Sequence, residues 1–221
     1  MLPPSKTDLS ISIGNNRTVS GNLILPDNAK GLVIFSHGGA SNRLSPRNKM
    51  VSDFLAQQHF GTFLFDLLTR EEINDHANRH NIRLLAERLI IVSEWLLSYD
   101  QTKNIHQAYF GASTGAAAAL YAAAAEGSEI AAVVCRGGRP ELAMEVLPTL
   151  QAPTLFIVGS NDDDVLLLNQ KALSVMHCPR RLEVIADASH LFEEKGAMEK
   201  VCLSTAGWLE QYLHPMKMLS K

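Results

Sequence analysis

Cysteine is scarce in this chain. Cys135, Cys178 and Cys202 are odd in number, widely spaced and contain no C-x-x-C pair. That excludes a disulfide framework and a cysteine-rich zinc cluster, and it fits buried thiols in a reducing compartment. No apolar run is long enough to cross a bilayer. Met1–Lys6 has no basic region leading into an apolar stretch, so no secretory signal is expected and the cytoplasm is the expected location. A net charge of −3 leaves no broad electrostatic footprint for nucleic acid or an anionic membrane. Repeats and low-complexity linkers are missing too. What remains is a chain of 221 residues, 46% of them hydrophobic, enough for one packed domain over residues 1–221 and too short for two.

Two segments, Asp8–Ile13 and Thr18–Leu25, alternate apolar and polar residues around Gly14-Asn15-Asn16, which predicts an antiparallel hairpin. Six short apolar runs follow: Gly31–Ser36, Gly61–Asp66, Gln107–Gly111, Ala131–Cys135, Thr154–Val158 and Leu182–Ile185. Their branched residues and lack of alternation predict strands buried on both faces, as parallel strands are. Helical patterns lie between them. Ser45–His59 opens on Ser-Pro, a cap and first-turn pair. Leu84, Leu85, Leu89, Val92, Trp95 and Leu96 share one helical face, and Ser113–Ala125 favours helix by composition. Val165–His177 and Ala197–Leu213 complete the series. Strand–helix alternation of this kind predicts an α/β fold: an eight-stranded, mostly parallel sheet with helices on both faces. Functional residues are then expected just beyond the carboxyl ends of the strands.

One of those ends reads Gly111-Ala112-Ser113-Thr114-Gly115, a G-x-S-x-G sequence between a strand and a helix. Such a turn is sharp, so the flanking glycines let strand and helix approach while the serine is held in a strained conformation. The pentapeptide alone would also suit a plain strand–helix turn in which the serine caps the helix. A serine hydroxyl needs a base to become nucleophilic, and the base needs a carboxylate to orient it. On this scaffold the chain order is serine, acid, histidine. Asp162, Asp163 and Asp164 follow the strand Thr154–Val158, and His190 follows Leu182–Ile185. Asp162 is the favoured partner of His190, with Asp163 the alternative and Asp164 placed to cap the next helix.

Donors for an oxyanion are sought in Ser36-His37-Gly38-Gly39-Ala40-Ser41, which follows the strand Gly31–Phe35. The backbone N–H groups of Gly39 and Thr114 are the candidates, with Gly38 or Ala40 possible by register. His37 and Gly38 are expected near the substrate, although His37 also reads as a structural brace. Arg136 and Arg139, in Arg136-Gly137-Gly138-Arg139-Pro140, suit an anionic part of a substrate or ion pairs with Glu141, Glu193 or Glu194. Arg47 and Asp66 carry the same ambiguity. Asp75, His76 and His80 have helical metal-ligand spacing but sit in a polar segment, so a solvated face is expected and no metal is assigned.

Taken together, His37-Gly38-Gly39, Ser45-Pro46-Arg47-Asn48, Asp66-Leu67-Leu68-Thr69, Phe110–Ala118, Arg136–Pro140 and Ser189–Glu194 resemble the α/β-hydrolase superfamily, most closely its dienelactone-hydrolase-like branch. The resemblance covers nearly the whole chain and extends to small hydrolase-like proteins, some of them fused to phosphoribosyltransferase domains. It implies Ser113 as nucleophile, His190 as base, Asp162 as orienting acid, and a fold without a large cap domain. Dienelactone hydrolases proper use cysteine in G-x-C-x-G, where this chain has Ser113. The expectation is therefore a serine hydrolase acting through an acyl-enzyme on a small-molecule ester or lactone. It would need no metal or organic cofactor and no nucleic-acid or membrane partner, and would exist as a monomer or small homo-oligomer. The alternative is a binding module that keeps the scaffold without turnover.

Overall fold

The computed structural model of the protein describes residues 5–39 and 41–214. Strands β1 (Ser5–Ser12) and β2 (Thr18–Leu25) form the antiparallel hairpin, turning through Gly14, Asn15 and Asn16, all at positive φ. The remaining strands are β3 (Leu32–Ser36), β4 (Gly61–Phe65), β5 (Gln107–Ala112), β6 (Ile130–Arg136), β7 (Thr154–Gly159) and β8 (Arg180–Ile185). One eight-stranded sheet results, in the order β1-β2-β4-β3-β5-β6-β7-β8. The hairpin joins antiparallel through β2 and β4, and every later pairing is parallel.

Two helical layers cover the sheet. Helices α3 (Ile82–Ser98), α4 (Thr114–Glu126) and α5 (Asp163–Val175) pack on one face, where Leu85, Leu89, Ala117, Leu120 and Ala172 meet Leu32, Ile34 and Tyr109. Helices α1 (Pro46–Gln57) and α6 (Ala197–Tyr212) pack on the other, where Val51, Leu55, Val201 and Leu209 meet Val33, Phe35 and Phe110. Alternate residues of β3 and β5 thus enter different cores, which is why these strands read as unbroken apolar runs. The short helix α2 (His76–His80) lies in the polar stretch between β4 and α3.

Strand β8 corrects an expectation. It lies at the sheet edge, with Arg180, Arg181 and Val184 exposed, whereas its apolar run predicted burial on both faces. Burial depends on strand order, which the run itself does not encode. Helix α4 is the opposite case. Its alanines are buried from Ala116 to Ala119, and the small side chains let it sit against β5. A Cβ on Gly111 would lie 2.4 Å from Ala116 Cα, so only glycine permits that approach.

Candidate active site

Four strand ends and the start of one helix converge on a cleft of about 410 Å³. Its walls include Gly38 and Gly39 after β3, Ser113 and Thr114 after β5, Arg136 and Arg139 at and beyond β6, and His190 beyond β8. Ser45, Arg47 and Asn48 from the N-terminal end of α1 close one side, and His80 of α2 another.

Ser113 sits at φ 53°, ψ −124°, a left-handed conformation that side-chain-bearing residues rarely adopt. The turn is locked by backbone bonds: Ser113 N–H donates to Arg136 C=O at 3.2 Å, and Arg139 N–H donates to Ser113 C=O at 3.2 Å. Gly115 is equally constrained, because a Cβ there would stand 2.2 Å from Ser36 C=O oxygen. The elbow thus wedges between the ends of β3 and β6.

His190 and Asp162 meet. Imidazole Nδ1 lies 2.7 Å from Asp162 Oδ2, with Asp162 more deeply buried than the ring. The acceptor carboxylate places the proton on Nδ1 and leaves Nε2 as the free nitrogen. Asp162 is the N-cap residue of α5 yet makes no cap bond with its side chain, so the carboxylate is available to the histidine. Asp163 and Asp164 are exposed in the first turn of α5. The histidine loop is pinned by Ser189 N–H donating to Glu194 Oε1 at 3.0 Å and by positive φ at Asp187 and Phe192. Gly137, at φ 51°, lies under the ring: a Cβ there would come within 3.3 Å of His190 Cε1. Gly137 was not singled out from the sequence, although two glycines directly after β6 signalled a close approach.

Two expectations need correction. His37 is buried and does not line the cleft: Leu67 N–H donates to its Nε2 at 3.1 Å, and its Nδ1–H donates to Gly38 C=O at 2.9 Å. Burial holds its pKa below the usual histidine value, against smaller opposing effects of Gly38 and Asp66. It is a neutral brace between the β3 and β4 loops rather than a substrate contact. Gly39 N–H, expected to be a free donor, gives its hydrogen bond to Thr114 Oγ1 at 3.0 Å. The alternative donor Ala40 lies outside the described residues.

The arginines divide. Arg139 pairs with Glu141, and Arg47 with Glu193 at 3.3 Å. Arg43 pairs with Asp66, which takes that carboxylate out of the cleft wall. Arg136 has no carboxylate partner among the described residues. The His80 and His76 rings meet tilted, with centroids 4.5 Å apart, and no cluster of three or more His, Cys, Asp or Glu suited to a metal occurs among the described residues. Cys135 is buried and its thiol pKa is pushed up by burial.

The fold is that of the α/β-hydrolases. No family model matches the chain. The chain is similar to the dienelactone hydrolase of Anabaena variabilis, with 43% identity and a TM-score of 0.93 over 96% of this chain and 100% of that one. By that likeness it belongs to the dienelactone-hydrolase-like branch of the superfamily. An esterase from Pyrococcus furiosus shares the fold, with a TM-score of 0.73 and 18% identity over 95% of this chain and 94% of that one. A Mycobacterium tuberculosis protein provisionally named a phosphoribosyl transferase is 44% identical over 211 residues, 96% of this chain. The chain spans about half the length of that curated relative, 48%.

Proposed function

We propose that the protein is a serine hydrolase that cleaves a small-molecule ester or lactone through an acyl-enzyme. The observation carrying this reading is the Asp162–His190 pair at 2.7 Å, facing a cleft in which Ser113 stands on a left-handed elbow. In the proposed sequence, Ser113 Oγ attacks the carbonyl carbon as its proton passes to His190 Nε2. The tetrahedral oxyanion collapses, the C–O bond to the alcohol breaks, and the alkoxide takes that proton. Water then gives a proton to Nε2 and attacks the acyl group. Collapse releases the acid, and the proton returns to Ser113. Asp162 holds the ring in one tautomer and offsets its transient positive charge.

The Thr114 amide, at the N-terminal end of α4, is one proposed oxyanion donor. Thr114 lines the cleft and its Oγ1 accepts from Gly39 N–H, and in this reading the hydroxyl proton turns toward the oxyanion. In this reading Gly39 acts through that hydroxyl, which it polarises. The transferase name of the mycobacterial relative belongs, we infer, to the half of that protein which this chain does not span. Serine-directed labelling tests the assignment. A fluorophosphonate probe should modify the wild type and leave Ser113→Ala unmodified, and hydrolysis of short-chain nitrophenyl esters should vanish in His190→Ala. Equal labelling of wild type and Ser113→Ala would put the reactive nucleophile elsewhere and overturn the assignment, and the absence of ester hydrolysis in both wild type and His190→Ala would favour a binding module.

A further inference from the structure

Arg136 is a buried cation without a counter-ion among the described residues. The residue is 8% exposed, and its one side-chain hydrogen bond among the described residues is a long contact, 3.9 Å, from Nη1 to Met198 Sδ. Burial, helped by the nearby Arg47 charge, lowers its pKa to about 10. A guanidinium in this position costs stability unless something neutralises it.

The surroundings point to the missing partner. Arg136 lines the cleft, and no aspartate or glutamate is among the residues that do. Arg47 faces the same space, with Glu193 engaging one of its amino groups. Arg47 is the second residue of α1, whose first turn lines the cleft with Arg136; this helix of 12 residues has a cap residue, Ser45, that makes no side-chain bond, and its first turn has no acidic residue. The amides of Arg47 and Asn48 therefore lie in that uncapped first turn, where helix N–H groups have no intrahelical acceptor and favour an anion. The Arg136 fork, the remaining amino group of Arg47 and two amides offer roughly five donors, against about four acceptor sites on a carboxylate. Three non-bridging oxygens of a phosphate can use them all.

We propose that Arg136, Arg47 and the amino-terminal turn of α1 form a subsite for a phosphate group carried by the substrate. Its position follows from the sheet. Arg136 is the register partner of Ala112, the residue before Ser113, and adjacent strands lie about 5 Å apart. The phosphate thus sits beside the carbonyl that Ser113 would attack. The substrate class becomes a phosphorylated ester or lactone, and this inference rests on the hydrolase reading only for that carbonyl.

Calorimetric titration with inorganic phosphate at constant ionic strength tests the subsite without turnover. Phosphate should bind the wild type, raise its Tm, and bind Arg136→Met at least about tenfold more weakly, as expected on losing a charge-assisted bidentate contact. In phosphate-free buffer Arg136→Met should have a higher Tm than the wild type, since an uncompensated buried charge has been replaced by an apolar chain. A purely structural arginine would give a lower one. Arg47→Met, altering a more exposed side chain, gives a second affinity reading should Arg136→Met fail to fold. The proposal is overturned if phosphate does not bind, if both variants bind it as the wild type does, or if acetate binds as tightly. Ser113→Ala should retain phosphate affinity while losing ester turnover, so the subsite and the hydrolytic reading fail independently.

Discussion

Asp162 and His190 are separated by 28 positions in the chain and by 2.7 Å in space, because β7 and β8 are adjacent parallel strands that end together. Replacing Asp162 by Asn keeps the shape but no longer fixes the imidazole proton on Nδ1. On the proposed mechanism kcat for a nitrophenyl ester should fall by about 10³–10⁴-fold. Asp163→Asn, changing an exposed carboxylate in the first turn of α5, should stay within about twofold of wild type. A large loss in Asp163→Asn with little in Asp162→Asn would reassign the acid.

Gly115 and Gly207 should respond in opposite directions to the same added methyl group. At Gly115 the new Cβ would stand 2.2 Å from Ser36 C=O oxygen and 2.5 Å from His37 C=O oxygen, both backbone atoms unable to move aside cheaply. Gly115→Ala should cost about 3 kcal/mol or more in urea unfolding. Gly207 lies exposed within α6 with nothing within 4 Å of the new atom. Gly207→Ala should add about 0.5–1 kcal/mol through helix propensity. A destabilised Gly207→Ala would contradict the packing described for α6.

The strand ends and the chain order of serine, acid and histidine were legible because each is local. A short apolar run stops, and a chemically distinctive residue follows within a few positions. The contact between Asp162 and His190 could be anticipated on that basis. Asp162 is favoured over its neighbours by the sequence itself, as the shortest step past the strand, and the structure adds that its side chain makes no cap bond. Longer-range relations were illegible. His37 could be read as a brace, but nothing near it names the partner, Leu67, 30 positions away. The isolation of Arg136 was equally hidden: its neighbour Arg139 finds Glu141 two residues on, whereas Arg136 faces a helix start contributed from far upstream. The edge position of β8 belongs to the same class, since strand order is a property of the assembled sheet.

Thr114 is proposed to pass the Gly39 N–H on to the oxyanion through its hydroxyl. Thr114→Val preserves the branched shape and removes both the acceptor for Gly39 and the donor to the cleft. Loss of one oxyanion donor should lower kcat by about 10²-fold with KM within a few-fold, because the bond strengthens as charge develops. Thr114→Ser should restore most of the rate. If Val and Ser variants are equally slow, the hydroxyl is a packing group and Gly39 must donate directly.

His37 makes stability depend on pH with a sign set by its burial. The folded ring is neutral, accepting from Leu67 N–H at Nε2, and its folded pKa lies below the usual value. In the unfolded chain it titrates at about 6.5. Below that pH the unfolded state takes up a proton that the folded state resists, so the His37 contribution is complete above about pH 6.5 and is lost progressively on acidification. His37→Gln can still accept from Leu67 but cannot titrate. Its Tm should be lower than wild type at neutral pH and fall less steeply between about pH 6.5 and 5. Parallel Tm profiles for the two proteins would mean that the ring protonates in place, and that the brace between the β3 and β4 loops tolerates a charge.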